Sequence, residues 1–164
     1  MSGAPFCVVL LEASLDRHKF TSSSQPLDRY FQQQVTQDIR RRVTACFVAL
    51  DHNDHVAGYY ALASASVPLT DLPASLAKKL PRYPSIPTIR MGRLAVDQTF
   101  KGQGLGAALL ADALDRAIHS EIAAYALVVD AKDDVASAFY RHHGFIALPD
   151  AALTLFLPLA SVPK

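Results

Sequence analysis

The chain has 164 residues, which suits one domain with a substantial hydrophobic core and leaves little room for a second. Apolar residues make up 51% and charged residues 19% of the sequence, a balance typical of a globular protein. No apolar run approaches the roughly eighteen residues of a membrane span, and no basic segment precedes the first apolar run, so we expect neither a membrane helix nor a signal peptide. Cys7 and Cys46 are too few for a disulfide framework or a four-ligand zinc site, and we expect a reducing cytoplasm.

The net charge of +1 conceals a basic stretch in the middle of the chain. Residues 40–93 contain eight Lys or Arg against three Asp, a local charge of +5, and the other residues sum to −4. If these side chains share one surface, that surface could bind phosphate groups. The same basic residues could instead be solvated on unrelated faces of the protein, and the sequence does not distinguish the two arrangements. The eight basic residues are Arg40, Arg41, Arg42, Lys78, Lys79, Arg82, Arg90 and Arg93.

The first half of the chain shows alternating strand and helix patterns. In chain order we predict a strand, a polar loop, a helix, two strands joined by a tight turn, and a short helix. These are residues 6–11, 18–25, 26–43, 45–50, 56–67 and 72–80. A rigid loop containing Pro81, Pro84 and Pro87 should follow.

Residues 89–120 hold a strand, a glycine-rich turn and a helix without a break. The strand covers residues 89–96, and from Leu105 the apolar residues recur at the helical period. Three glycines in the turn let the backbone approach a ligand closely, and free N–H groups of the helix's first turn then favour an anion such as phosphate. These glycines are Gly102, Gly104 and Gly106.

The second half completes an α/β pattern. We predict a buried strand at 123–129, a helix at 133–143 that ends before Gly144, and a closing hairpin of residues 145–148 and 153–157. The order of elements predicts an α/β sandwich with a mixed central sheet flanked by helices.

Four interpretations compete for the glycine-rich turn. A phosphate-binding Walker A loop needs Lys-Ser/Thr after the last glycine, where this chain has Ala107-Ala108. A dinucleotide fingerprint needs wider glycine spacing and an acid about twenty residues further on. The pyrophosphate loop of GNAT acetyltransferases, Arg/Gln-x-x-Gly-x-Gly/Ala, is matched by Lys101-x-x-Gly104-x-Gly106 except that Lys stands first. A turn without a ligand is the fourth possibility.

A second motif selects among them. Ala136, Phe139, Tyr140, Gly144 and Phe145 match the Ala-x-x-Phe-Tyr-x-x-x-Gly-Phe segment of the GNAT fold. Together with the glycine-rich turn, this segment makes the chain resemble that family.

A narrower resemblance covers nearly the whole chain. Five stretches resemble the GNAT toxins of bacterial toxin–antitoxin pairs, which acetylate the free amine of aminoacyl-tRNA and so stop translation. The stretches are Leu27-Asp28-Arg29-Tyr30-Phe31, Gly58-Tyr59-Tyr60-Ala61-Leu62, Leu80-Pro81-Arg82-Tyr83-Pro84, Gly92-Arg93-Leu94-Ala95-Val96-Asp97 and Val129-Asp130-Ala131-Lys132-Asp133. These toxins often carry a Cys-Gly pair shortly before the first helix, whereas this chain has Ser22-Ser23-Ser24.

The resemblance implies one acetyltransferase domain over residues 1–164, acetyl-CoA as acetyl donor, aminoacyl-tRNA as acceptor, a small ribbon-helix-helix antitoxin and a homodimer. It makes Tyr140 the donor of a proton to the thiolate of coenzyme A. The cofactor-binding residues that it implies are Leu94, Ala95, Val96, Lys101, Gly102, Gln103, Gly104, Leu105, Gly106 and Phe139. For tRNA we expect Arg90, Arg93, Arg40, Arg41, Lys78, Lys79 and Arg82.

The chemistry of the acceptor fits the residues present. The α-amine of an aminoacyl ester is substantially neutral at cellular pH, so it needs no strong enzyme base. The chain has only two glutamates, Glu12 and Glu121, and neither lies in a motif. Alternatives stay open: an enzyme for a small amine or a protein N-terminus, or a silent module that binds coenzyme A.

Several of the selected residues have simpler explanations. Tyr140 could be a core aromatic, Lys101 could be solvated instead of bound to a phosphate, and Arg90 and Arg93 could merely cover the sheet with their stems. His142 and His143 point in different directions on a helix, so we expect no metal site.

Overall fold

Seven strands form one mixed sheet in the order β1-β2-β3-β4-β5-β7-β6, as seen in a computed structural model that describes residues 6–163. β4 and β5 are parallel, whereas the pairs β1–β2, β2–β3, β5–β7 and β6–β7 are antiparallel. The strands are β1 (Cys7–Leu10), β2 (Ala45–Leu50), β3 (Val56–Pro68), β4 (Ser85–Val96), β5 (Ala126–Asp130), β6 (Ile146–Leu148) and β7 (Ala151–Pro158).

The helices are short except for the one that follows the glycine-rich turn. They are α1 (Gln25–Arg29), α2 (Val35–Arg40), α3 (Ala74–Ala77), α4 (Leu105–Ile118) and α5 (Asp134–His142). A π-helical turn, Tyr30–Gln34, joins α1 to α2. None of the helices described here is long and apolar enough to cross a membrane.

The described chain falls into two compact units. The first comprises residues 6–63 and 93–113, and its core is strongly aromatic. Phe31 stacks on Tyr59 with ring centroids 4.3 Å apart, and Phe20 meets both rings edge-on. The Tyr59 hydroxyl donates a hydrogen bond to the Leu27 carbonyl oxygen (2.7 Å), which ties α1 to this core. Offset-stacked and edge-on ring pairs add stability beyond the area that they bury.

Gly58 marks a close approach inside the first unit. A Cβ atom at this position of β3 would lie 2.8 Å from Leu109 Cδ1 on α4 and 2.9 Å from the Ala95 carbonyl oxygen on β4. Only glycine leaves room for β3, the end of β4 and the first turns of α4 to pack at this distance.

The second unit comprises residues 64–92 and 114–163. Its core packs residues from β3, β4, β5 and β7 around Phe156, which is fully buried. β4 and β5 pair from Thr88 with Ala126 to Met91 with Val129. Asp133 caps α5 because its side chain accepts a hydrogen bond from the Ala136 N–H (2.8 Å), and Gly144 follows the helix with φ of 94°.

Four predicted boundaries were wrong by three residues or more. The helix predicted at 26–43 contains the π-helical turn and ends at Arg40, since Arg42 is left-handed (φ 61°). The helix predicted at 72–80 is reduced to α3, because Pro73 precedes it and Pro81 follows it. The proline loop is shorter than expected, since β4 already begins at Ser85 and contains Pro87. β5 begins at Ala126, three residues after the predicted start at residue 123, and exposed residues precede it. The predicted mixed α/β sheet is confirmed.

Candidate active site

The end of β4 turns sharply at Asp97, in the first unit. The buried Asp97 carboxylate accepts hydrogen bonds from the Thr99 N–H and the Thr21 N–H, both at 2.9 Å. The next residue, Gln98, donates its N–H to the Thr21 carbonyl oxygen (2.8 Å). A single buried carboxylate therefore fixes both the elbow after β4 and the loop before α1.

The glycine-rich turn follows this elbow and leads into α4. Gly102 (φ 81°) and Gly104 (φ 78°) lie in the left-handed region, where a side chain would strain the backbone. Among the described residues, no hydrogen-bond acceptor is found for the backbone N–H groups of residues 102–107, and the first bond of the new helix runs from the Ala108 N–H to the Gly104 carbonyl oxygen. Successive free N–H groups at the positive end of a helix form a binding site for an anion.

Lys101 opens this turn, and its exposed side chain binds the loop before α1. Its ammonium donates to the Ser22 carbonyl oxygen at 2.7 Å and to Ser23 Oγ at 2.9 Å. Ser23 itself has a left-handed backbone (φ 73°). Ser22 is held in turn by Asp28 on α1, whose carboxylate accepts from the Ser22 hydroxyl (2.6 Å) and N–H (2.9 Å). The sequence did not point to these contacts; the only signal was a serine run where resembling proteins have Cys-Gly.

The predicted cofactor residues Leu94, Ala95 and Val96 lie on β4 beyond its last pair with β5, which joins Met91 and Val129. Backbone groups in this stretch are thus not used in the β4–β5 ladder. Extended backbone beyond a ladder can pair with an extended ligand in the manner of an added strand.

Arg93 lies over an aromatic ring in the first unit. Its guanidinium carbon is 3.4 Å from the centroid of Tyr30, a cation–π contact. The Tyr30 hydroxyl donates to Asp38 Oδ2 (2.8 Å), and burial followed by this hydrogen bond raises the pKa of Tyr30 to about 12. Arg40 and Arg41, at the end of α2, line a shallow cavity of about 310 Å³ together with Gln37. The first unit thus presents three of the predicted tRNA-binding arginines.

Tyr140 lies on α5 in the second unit and is buried. Its ring packs edge-on to Phe139 and at a tilt to Phe145, with centroids 5.2 Å and 5.6 Å away. Burial, and then the negative charge of Asp130, raise the pKa of the Tyr140 phenol well above its usual range, so the phenol stays protonated at cellular pH. A protonated phenol at this position can donate a hydrogen bond or a proton.

Arg90 is paired within the second unit. Its guanidinium makes a two-pronged contact with Asp130, with Nε 2.7 Å from Oδ2. This hydrogen bond raises the pKa of Arg90, and both side chains are about two-fifths exposed. Arg90 therefore neutralises the carboxylate whose charge bears on Tyr140. Asp130 was given no function on sequence grounds, because no local pattern links residues 90 and 130.

The other predicted basic residues of the second unit are exposed. Lys78, Lys79 and Arg82 follow α3 and make no ion pair with a described residue. Beside them Tyr83 is 63% exposed, which is unusual for an aromatic side chain. His143 Nδ1 lies 2.9 Å from the Phe139 carbonyl oxygen, and residues 6–163 contain no cluster of His, Cys, Asp or Glu that could hold a metal ion.

Comparisons with known proteins agree with this architecture. Residues 10–145 match the model of the acetyltransferase (GNAT) family. The chain is 36% identical over 144 residues to the tRNA-acetylating toxin of Mycobacterium tuberculosis, across 87% of this chain and 85% of that protein.

Solved structures give the same result. The structure of AtaT complexed with acetyl-methionyl-tRNAfMet superposes with a TM-score of 0.88 at 28% identity, covering 95% of this chain and 96% of that one. The crystal structure of AtaTR bound with AcCoA superposes with a TM-score of 0.83 at 27% identity, covering 96% and 95%.

Proposed function

The chain belongs to the acetyltransferase (GNAT) family, and we propose that within this family it is a toxin that acetylates aminoacyl-tRNA and so blocks translation. The acetyl group comes from acetyl-CoA and goes to the α-amino group of the aminoacyl ester. The observation that carries the proposal is the likeness over the whole chain to AtaT, which has been solved with acetyl-methionyl-tRNAfMet.

The first unit supplies the groups for the cofactor's phosphates. We assign the pyrophosphate of acetyl-CoA to the free N–H groups of residues 102–107, which form a positive, hydrogen-bonding end of α4. We assign the backbone of Leu94 and Val96 to the pantetheine arm. Phe139 belongs to the second sequence motif of the family, and its role in cofactor binding rests on that resemblance alone. Binding at these positions holds the thioester for attack, and positioning supplies a large share of the rate.

Tyr140 acts as the acid. The neutral α-amine attacks the thioester carbonyl carbon, and the C–S bond breaks as the tetrahedral intermediate collapses. Tyr140 donates its phenolic proton to the departing thiolate, and the proton lost by the acylated nitrogen replaces it. The raised pKa keeps the phenol protonated before this step. No glutamate is needed as base, and both Glu12 and Glu121 are exposed.

Six of the seven predicted basic residues serve the acceptor; all are exposed except Arg93, which is half-buried against Tyr30. In the first unit Arg40, Arg41 and Arg93 present guanidinium groups, and in the second Lys78, Lys79 and Arg82 present free charges. Phosphates bound by such side chains release counterions, so affinity for tRNA should fall steeply with salt. The exposed ring of Tyr83 offers a face on which an unpaired base can stack.

Other parts of the proposal rest on the resemblance to toxins of toxin–antitoxin pairs. They are a single acetyltransferase domain over residues 1–164, a homodimer, neutralisation by a small ribbon-helix-helix antitoxin, and a cytoplasmic location.

The test is transfer of labelled acetyl from acetyl-CoA to a mixed pool of charged tRNA. We expect label on charged tRNA only, and a loss of at least about 100-fold in rate for Tyr140→Phe, the usual size of a general-acid contribution. Two controls detect label that lies on the RNA and not on the amino acid: uncharged tRNA should take up no label, and tRNA deacylated after the reaction should retain none. Label on small amines or peptide N-termini, with none on tRNA, would refute the toxin assignment while leaving the family unchanged.

A further inference from the structure

The side chain of Lys101 is exposed, yet its ammonium is bound by two groups of the protein. An ammonium has three donors, and in Lys101 two of them contact the Ser22 carbonyl oxygen (2.7 Å) and Ser23 Oγ (2.9 Å). The partners lie 79 and 78 residues away in the chain, so the contact joins the start of the glycine-rich turn to the loop before α1.

That loop is itself anchored on two sides. Asp28 of α1 accepts from the Ser22 hydroxyl and N–H. Thr21 exchanges hydrogen bonds with the elbow after β4: its N–H donates to Asp97, and its carbonyl oxygen accepts from the Gln98 N–H. The segment 21–23 is therefore a fixed support that holds the turn at residues 97–98 and again at Lys101.

We propose that Lys101 is a positioning residue for acetyl-CoA, which fixes the glycine-rich turn by binding Ser22 and Ser23 and does not itself bind a phosphate. Two glycines with positive φ make this turn intrinsically loose, and a loose turn must lose conformational freedom when its N–H groups close on the pyrophosphate. Because Lys101 is bound to Ser22 and Ser23 before the cofactor arrives, the turn has less conformational freedom left to lose when acetyl-CoA binds. This role of Lys101 rests on the proposed binding of acetyl-CoA at the glycine-rich turn, and it does not depend on which amine is acetylated.

Two variants of equal length separate this role from a direct charge on the phosphate. Lys101→Met removes both the charge and the donors, whereas Lys101→Gln removes the charge but keeps an N–H₂ donor, at the end of a side chain one atom shorter than that of lysine. We expect Lys101→Met to raise the Kd of acetyl-CoA about tenfold, and Lys101→Gln to raise it no more than about threefold. The proposal would be overturned if Lys101→Met and Lys101→Gln raised the Kd of acetyl-CoA equally while Lys101→Arg left it unchanged. It would also be overturned if neither Lys101→Met nor Lys101→Gln changed the Kd.

Ser23 provides a second readout that a phosphate contact would not give. Ser23→Ala should raise the Kd on its own, and it should add less than its full effect in the Lys101→Met background, because the two side chains act through one contact. Additive effects would contradict the proposal.

The controls isolate the pyrophosphate and the charge. Acetyl-pantetheine, which lacks the pyrophosphate, should have the same KM for the wild-type protein and for Lys101→Met. Lys19 is an exposed lysine in the loop before α1, close in sequence to Ser22 and Ser23. Lys19→Met removes the same charge as Lys101→Met, and it should leave the Kd of acetyl-CoA unchanged. Because Lys101 is exposed, its variants should keep the fold, which the melting temperature checks. A weakening by Lys19→Met as large as that by Lys101→Met would assign the effect to net charge and overturn the proposal.

Discussion

Replacing Gly58 by alanine would put a methyl group where two neighbours already lie. The Cβ would be 2.8 Å from Leu109 Cδ1 and 2.9 Å from the Ala95 carbonyl oxygen. Leu109 is fully buried and Ala95 contributes a backbone atom, so neither can move aside freely. Overpacking of this kind costs about 1–3 kcal/mol, and a gain of about 0.4–1 kcal/mol from stiffening the unfolded chain offsets part of it. We expect Gly58→Ala to lose about 1–2 kcal/mol of unfolding free energy.

At this chain length the loss corresponds to a melting temperature lower by about 2–8 °C. Urea unfolding gives the free energy and a thermal scan gives the temperature. Ala95 lies just before the elbow at Asp97, so the KM for acetyl-CoA should rise as well. The matched control is Gly92→Ala on β4, where an added Cβ meets nothing within 4 Å. Equal stability of the two variants would refute the close approach of β3, β4 and α4.

Three further predictions concern charge and exposure. Arg90→Met and Asp130→Asn should show a coupling of about 0.2–1 kcal/mol in a double-mutant cycle of urea unfolding, because the pair is partly exposed; strict additivity would argue against the ion pair. Tyr140 has a raised pKa and so stays protonated as pH rises through the ordinary tyrosine value of about 10, and ultraviolet titrations of the wild-type protein and Tyr140→Phe should coincide there. Tyr83→Ala should weaken tRNA binding at every salt concentration without changing the salt slope, whereas Lys79→Met should reduce that slope by about 1.

Local periodicity predicted the elements that depend on their own residues. β2 has the predicted bounds, and α4 begins at the predicted Leu105 and ends at Ile118. The pattern failed where tertiary packing decides. Leu76 and Leu80 have helical spacing, yet they pack against the core of the second unit from a short helix followed by turns. The π-helical turn between α1 and α2 has no periodic signature, since it changes the spacing by a single residue.

Sequence motifs selected the residues of the candidate site, but they did not predict the contacts that these residues make. The two sequence motifs pointed to the glycine-rich turn as a phosphate-binding site and to Tyr140 as a proton donor. Lys101 was predicted to be solvated or to bind a phosphate, and its contacts with Ser22 and Ser23 were not predicted. The contact of Arg90 with Asp130 was not predicted either. These partners are separated by 40 to 79 residues, and no short-range pattern records such pairs.

At Ser23 two demands on the chain favour different amino acids. A left-handed backbone strains an L-residue by about 1–2 kcal/mol, and glycine would adopt it freely. Glycine would also remove the hydroxyl oxygen that accepts a hydrogen bond from Lys101 Nζ. A search for thermostable variants would therefore select glycine here, and a search for tight cofactor binding would select serine.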